Sequence, residues 1–434
     1  MHSSLYVRLA AAVAVFTSLA AGFQQNSRDN MAVYWGQNFV SGGQQRLSTY
    51  CGSSNFNIIP IAFLISLKDP VINLANGNDN CTTFPGSQAL SCPQVAEDIK
   101  TCQAKHGKTV MLSIGGATYN EGGFASPAEA RAAAEKVWNL FGPNTQTANR
   151  PFGSAVVDGF DFDFESPTQN MVPFAQRLRE LMDAAASKTK KFYLSAAPQC
   201  VYPDVADGAM LAGEVSFDFV MVQFYNNFCG VQNFVQSALG GLTGGGSSRK
   251  RQGGGAGGQQ SAFNFAVWDA WARGKTTDGS RGSKNPNVKI LLGVPASKAA
   301  ASSGFLEPAL LRPVVEYCAT FSSFGGVMMW DMSHLFSSGS GSGGGGIVGS
   351  FLEDVHGALS LAASKGGNDR ATANEAITNS TSNSSSNGTI SSGGTGGTPI
   401  TSASTGFYVP SAALSWSGLA LGVAFHSLVG SVFY

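Results

Sequence analysis

From residue 31 to residue 364, short apolar runs alternate with longer stretches in which apolar positions recur at helical spacing. The runs at 31–37, 57–67, 109–115, 157–165, 192–197, 217–225, 288–294 and 325–330 predict eight strands. Helical patterns lie between them, among them 127–141, 171–186, 262–272 and 308–321, and another follows the last strand at 347–363. Such alternation favours a parallel sheet, and eight repeats fit a closed (β/α)8 TIM barrel better than an open doubly wound sheet. No fixed-period repeat suggests a solenoid. In a barrel of this kind the chemistry sits at the C-terminal ends of the strands.

The two ends break the pattern. Residues 1–22 begin with His2 and Arg8, continue through an apolar run at 9–21 and end in small residues, which predicts a leader peptide removed on export. A buried core helix is the alternative. Residues 412–434 are apolar, with His426 the one potentially charged side chain, and a polar spacer at 401–411 precedes them. Residues 405–434 are therefore expected to be a signal exchanged for a glycosylphosphatidylinositol (GPI) lipid, against the alternative of a transmembrane anchor. Between them, 365–404 is built of Ser, Thr, Asn and Gly and cannot bury enough surface to fold, so it reads as a disordered stalk. The folded domain is expected at 30–364, in a protein exported to the cell surface and held at the plasma membrane or cell wall. Asn-X-Ser/Thr sequons at Asn80, Asn379, Asn383 and Asn387 are expected glycosylation sites in an exported chain.

Composition adds limits. With 43% hydrophobic and 12% charged residues, the 434-residue chain can bury one large core. Its 27 basic residues balance its 27 acidic ones, which gives no electrostatic reason to expect nucleic acid and points to a neutral substrate. The 54 glycines concentrate at 240–258, 339–346 and 393–397, so these stretches read as loops and linkers. The insertion at 240–258 carries Arg249-Lys250-Arg251 and is expected to be a disordered loop. Export makes disulfides the default reading of the seven cysteines, with many connectivities open.

The chemistry concentrates in the fourth strand, Val157-Asp158-Gly159-Phe160-Asp161-Phe162-Asp163-Phe164-Glu165. Alternate strand residues share a face, so Asp161, Asp163 and Glu165 point one way and the three phenylalanines the other. The aromatic face must meet the helices, which leaves the acids lining the interior toward its mouth. Crowded carboxylates raise one another's pKa, so at least one should hold a proton near neutral pH. That supplies a general acid, and Glu165, nearest the mouth, is best placed to use it. Asp163 is then its partner and Asp161 a support. Interleaved phenylalanines argue against a solvated surface, and the absence of nearby histidine argues against a transition metal. Asp158 lies deep in the strand and reads as structural.

Asp158-x-x-Asp161-x-Asp163-x-Glu165 resembles the signature of glycoside hydrolase family 18, and Ser113-Ile114-Gly115-Gly116 resembles its second hallmark, on the third strand. Tyr34-Trp35-Gly36-Gln37-Asn38, Ala196-Ala197-Pro198-Gln199-Cys200, Gln223-Phe224-Tyr225-Asn226-Asn227 and Gly325-Gly326-Val327-Met328-Met329-Trp330 are similar to the hevamine-like class III chitinases. With its leader and stalk the chain looks like the GPI-anchored cell-wall chitinases of fungi. The likeness covers about residues 30–364.

The resemblance implies an endochitinase that cleaves β-1,4 bonds between N-acetylglucosamine units with retention, the substrate's own 2-acetamido oxygen serving as nucleophile. Glu165 would protonate the leaving oxygen, Asp163 would hold the acetamido N–H, and Tyr225 would donate to the acetamido oxygen. Trp330 would floor the sugar site, and Tyr34 and Gln223 would bind or support. Ser113 and the glycines after it are expected to shape the core and a turn. The resemblance also pairs Cys51 with Cys102, Cys81 with Cys92 and Cys200 with Cys229, leaving Cys318 as a buried thiol. Chitin or its oligosaccharides is the implied partner, with cell-wall glycans possible and no nucleic acid, for a monomer needing no cofactor or metal. An endo-β-N-acetylglucosaminidase acting on glycoproteins and a non-catalytic glycan-binding wall protein are the alternatives.

Overall fold

The computed structural model describes residues 22–37, 43–53, 55–236, 260, 262–276, 279–337 and 351–361. Residues 1–21 of the expected leader, the glycine-rich insertion, the segments expected to be a stalk and a lipid-attachment signal, and Asn379, Asn383 and Asn387 lie outside the described residues.

Eight parallel strands form the centre: β1 (Asn30–Val33), β2 (Ile58–Ser66), β3 (Thr109–Gly115), β4 (Gly159–Asp163), β5 (Tyr193–Ala196), β6 (Phe219–Gln223), β7 (Lys289–Pro295) and β8 (Phe324–Trp330). Each pairs with its successor, and β1 closes the ring by pairing with both β8 and β2. A helix follows each strand: α1 (Leu47–Tyr50), α2 (Pro93–His106), α3 (Pro127–Phe141), α4 (Met171–Ala185), α5 (Gly208–Leu211), α6 (Phe265–Ala272), α7 (Pro308–Cys318) and α8 (Met332–Ser337). This is the expected (β/α)8 barrel. The helical pattern predicted at 347–363 contains a further helix at 351–361.

Period-two alternation explains the barrel. On β4, Phe160 and Phe162, with Phe164 just beyond, join Phe174 of α4 in the layer between strands and helices. Burying each such ring is worth about 1.5–3 kcal/mol, so the aromatic face alone commits β4 to its orientation. A separate, smaller cluster fills the interior, with Ala32, Ile58, Met111, Phe219, Met221, Leu291 and Met328 contributed by six strands. Phe23 packs into that cluster against Phe219 and Tyr193.

Local signals set the ends of several helices. Ser126-Pro127-Ala128-Glu129 opens α3, where Ser126 Oγ accepts from the Glu129 N–H (3.2 Å) and the Glu129 carboxylate accepts from the Ala125 N–H (3.0 Å). Gly107, at φ 63°, closes α2 in the left-handed region. A two-residue strand, Val71–Ile72, runs antiparallel to β2, and Thr82–Thr83 pairs with Leu90–Ser91. Neither is predicted, because two residues carry no periodicity.

Cys51–Cys102, Cys81–Cys92 and Cys200–Cys229 are bonded, with Cα separations of 5.3, 4.3 and 5.8 Å. Cys318 is buried and free, and burial pushes its thiol well up. The Cys200–Cys229 bridge ties the loops that leave β5 and β6, at the end of the barrel where the acids of β4 emerge. Asn80 is exposed beside the Cys81–Cys92 bridge, and its side-chain amide donates to Gln94 (3.0 Å).

Candidate active site

Strand register assembles the site. Ser113 of β3 and Ser195 of β5 sit directly beside Asp161 of β4 in the ladder. All three are fully buried, and both hydroxyls donate to the Asp161 carboxylate, at 2.7 and 2.6 Å. Tyr34, just past β1, donates its hydroxyl to the same carboxylate at 2.7 Å. Burial raises the pKa of Asp161 while these three donors oppose it. Asp161 is thus a fully bonded carboxyl below the mouth, and three hydroxyls lock its orientation.

One pleat higher, Asp163 is buried and accepts from Gln223 Nε2 at 2.8 Å. The same nitrogen also donates to the carbonyl of Ala197 (2.8 Å), so both of its hydrogens are used and its orientation toward Asp163 is fixed. Burial pushes Asp163 well above the usual carboxylate range, helped by repulsion from Glu165, Asp161 and Asp204. Glu165 lies two residues beyond the last paired residue of β4 and is open to solvent at the mouth. Its carboxyl still loses enough hydration against the barrel wall for its pKa to rise. Burial raises both carboxyls, and repulsion from Glu165 adds to the rise at Asp163, so this strand face favours holding a proton.

Tyr225, just past β6, is 7% exposed, and burial followed by repulsion from Asp163 and Glu165 pushes its hydroxyl well up. It therefore stays protonated and able to donate. Trp330 ends β8, partly exposed, with its ring 5.4 Å from Tyr34 and stacked on Phe63 at 5.9 Å. Tyr34 and Phe63 are buried and back the Trp330 ring, the partly exposed member of the three.

The glycines of Ser113-Ile114-Gly115-Gly116 answer to close packing here. Gly115 has φ 118°, and a Cβ there would lie 2.4 Å from the Asp163 carbonyl oxygen. That carbonyl accepts from the Gly116 N–H at 2.7 Å, so the turn after β3 fixes the backbone under Asp163.

Several sequence expectations shift in detail. Tyr34, expected to bind or support, is 1% exposed and spends its hydroxyl on Asp161, so it supports the acid row from within. Ser113, read as a core residue, also bonds a carboxylate. Asp158 sits at the opposite end of β4, where it accepts from Val110 N–H and Gln103 (both 2.8 Å) and pairs with Lys190, a structural role as expected.

Two acids were not anticipated. Asp204 accepts from the N–H groups of Gln199, Ala206 and Asp207 at 3.1, 2.8 and 2.6 Å, which fixes the loop after β5. Asp207 is fully buried, and neither of its carboxyl oxygens has a hydrogen-bond partner among the described residues. Burial pushes it well up, with repulsion from Asp204, Asp163 and Asp161 adding. Both lie in an irregular loop, where no periodicity marks them.

This concentration of raised carboxyls has a consequence for stability. Asp161, Asp163, Glu165, Asp204 and Asp207 each have a folded-state pKa above the ordinary 3.8 or 4.5, so over the range between the two values the folded protein binds more protons than the unfolded chain. Their contribution is fully present below those values and is lost as pH rises through the folded pKa values. The melting temperature is therefore expected to be higher at pH 5 than at pH 8. Asp207→Asn should narrow the gap. A melting temperature that climbs across this range, measured by calorimetry, would contradict the sign.

Comparison with known proteins agrees with this geometry. Residues 30–304 match glycosyl hydrolases family 18. The chain is 45% identical over 352 residues to a class III chitinase of Arthroderma benhamiae, an alignment that covers 80% of this chain and 90% of that one. It is 44% identical over 335 residues to endochitinase 33 of Trichoderma harzianum, covering 76% and 94%. The crystal structure of the ICChI chitinase from Ipomoea carnea superposes with a TM-score of 0.55 over 76% of this chain and 99% of that one, and at 24% identity it shows the shared fold. The barrel, its acid-bearing fourth strand and these matches place the chain in glycosyl hydrolases family 18.

Proposed function

We propose that this protein hydrolyses β-1,4 linkages between N-acetylglucosamine units of chitin, within the chain and with retention of configuration. The observation that carries the reading is the solvent-open Glu165 directly above the buried, Gln223-held Asp163, with the Tyr225 hydroxyl and the Trp330 ring beside them. The chitinase and endochitinase named above are aligned over nine-tenths of their length, which supports the substrate class.

In the proposed first step the acetamido carbonyl oxygen of the sugar attacks the anomeric carbon while Glu165 gives its proton to the leaving glycosidic oxygen. The C1–O bond to the leaving sugar breaks and a cyclic oxazolinium ion forms. Tyr225 donates to the acetamido oxygen and turns it toward C1, and the Trp330 ring supports the apolar face of the sugar. Asp163 accepts from the acetamido N–H and offsets the positive charge that develops there. That hydrogen bond favours the anionic form of Asp163, so substrate binding itself shifts the shared proton onto Glu165. In the second step Glu165, now a carboxylate, takes a proton from water as its oxygen attacks C1 and the C1–acetamido bond breaks. Two inversions give net retention.

The test is time-resolved analysis of the products released from an N-acetylglucosamine oligomer. The β-anomer is expected first. The α-anomer first would overturn substrate assistance, and binding without cleavage would favour the glycan-binding reading. Faster cleavage of a glycoprotein glycan than of the oligomer would favour the endo-β-N-acetylglucosaminidase reading. Remodelling of chitin-bearing walls is the biological setting we infer, supported by the expected leader and lipid-attachment signals.

A further inference from the structure

Trp330 ends β8 and α8 opens at Met332, so the turn between them is a single residue, Asp331. Both neighbouring peptide groups are tied down. The Trp330 carbonyl accepts from Ala296 N–H at 2.7 Å, and Met332 N–H donates to the Tyr34 carbonyl at 2.9 Å. Tyr34 thus meets the turn through its backbone and the Trp330 ring through its own ring, 5.4 Å away. The Asp331 side chain is 1% exposed. One of its oxygens, Oδ1, accepts from the Ser333 hydroxyl (2.8 Å) and from His334 N–H (3.1 Å), and it faces His334 Nδ1 at 2.9 Å. His334 is itself buried. The other oxygen, Oδ2, is buried with no hydrogen-bond partner among the described residues. The carboxyl also lies close enough to the reacting groups to repel charge on Tyr225, adding to burial and to the charges of Asp163 and Glu165 in keeping that hydroxyl protonated.

The bond to His334 N–H is the ordinary one for an acid that opens a helix. It does not account for the rest. An exposed serine or aspartate caps a helix as well, whereas burying a carboxyl with one oxygen unpartnered costs stability, and a helix of six residues has little need of it. What burial achieves is a hydrogen-bonded turn, out of reach of water, directly after the ring that floors the sugar site. We propose that Asp331, braced by His334, is a positioning residue for Trp330: it fixes the turn that aims the indole at the sugar and acts on the reaction through that ring. The inference rests on the role given to Trp330 in the proposed function. Tyr34 and Phe63 back the ring, and the turn its backbone enters sets the angle at which it leans on them. Precision there matters, because a displacement of about 1 Å in a substrate-positioning group can cost about 100-fold in rate.

The test is a mutant cycle in the full chain, read in kcat/KM on an N-acetylglucosamine oligomer with the melting temperature measured alongside. His334→Leu removes the brace and is expected to lower kcat/KM about 10-fold, and His334→Asn, which returns an N–H near the place of Nδ1, should recover most of it. In a chain carrying Trp330→Ala the same His334→Leu is expected to cost less than about 2-fold, because the ring through which it acts is gone. Should His334→Leu not fold, Asp331→Asn, which keeps an acceptor for the helix N–H, takes its place in the cycle with an expected loss of about 3-fold that also vanishes without the ring. Equal losses with and without Trp330, following the melting temperature, would mean a structural duty only; that result, or no loss from either substitution, overturns the proposal. Trp330→Ala without effect of its own overturns it too, while the role of Glu165 stands. If the unmutated protein binds the oligomer without cleaving it, the hydrolase reading fails and the cycle is read in affinity, where additive losses again overturn the proposal; if it binds no oligomer, both fail.

Discussion

Glu165→Gln is expected to leave the protein folded and to lower turnover of N-acetylglucosamine oligomers by about 10²- to 10⁴-fold, the range attributed to a positioned general acid. Glutamine keeps the volume and planar shape of the side chain, and Glu165 stands open to solvent at the barrel mouth, so the substitution removes no packing. What it removes is the proton. A sugar leaving group is a poor one and needs that proton as the bond breaks. A substrate whose leaving group is an acidic phenol needs it far less, so the loss in the bond-breaking step should shrink markedly with an activated aryl glycoside. This contrast separates a missing acid from a damaged site, because damage would slow both substrates alike. Near-normal turnover of the oligomer by the variant would end the assignment of Glu165 as the acid.

The barrel was legible because its strands carry two signals at once. In β4 the phenylalanines say which face meets the helices, and the acids say which face lines the interior, so a single nine-residue run gives strand, orientation and chemistry together. Glu165 and Asp163 could be named from that alternation before any contact was known. The parts that stayed hidden depend on neighbours in space. Ser113 and Ser195 meet Asp161 only because β3, β4 and β5 align those three positions, and no single strand announces its register. Register would have been the useful signal, since a polar residue at an inward position of each adjacent strand marks a shared buried network. The resemblance left Tyr34 open between binding sugar and supporting the site, and only its place just past β1, which aims the hydroxyl at Asp161, decides for support. Asp204 and Asp207 sit in a loop whose course is set by backbone hydrogen bonds to Asp204 and by the Cys200–Cys229 bridge, neither of which leaves a periodic trace.

Asp163→Asn tests the other half of the pair. The amide keeps the shape, and its oxygen can still accept from the acetamido N–H, but it brings no negative charge to the oxazolinium ion. Removing one preorganised electrostatic partner from a water-poor site costs about 10²- to 10³-fold in turnover, and that loss is expected here. The pH profile should move as well. Asp163 and Glu165 repel each other when both are charged, and a negative neighbour raises the pKa of an acid. With asparagine at 163 that repulsion is gone, so Glu165 loses its proton at lower pH and the alkaline limb of activity shifts toward acid. A structural defect would lower the whole profile without moving the limb. Since Gln223 donates to Asp163 from a position fixed by Ala197, Gln223→Glu should act oppositely, placing a further acid against the pair and moving the alkaline limb upward. If Asp163→Asn left both turnover and the limb unchanged, the charge at 163 would have no part in the reaction, and the buried acid row would be only a scaffold for Glu165.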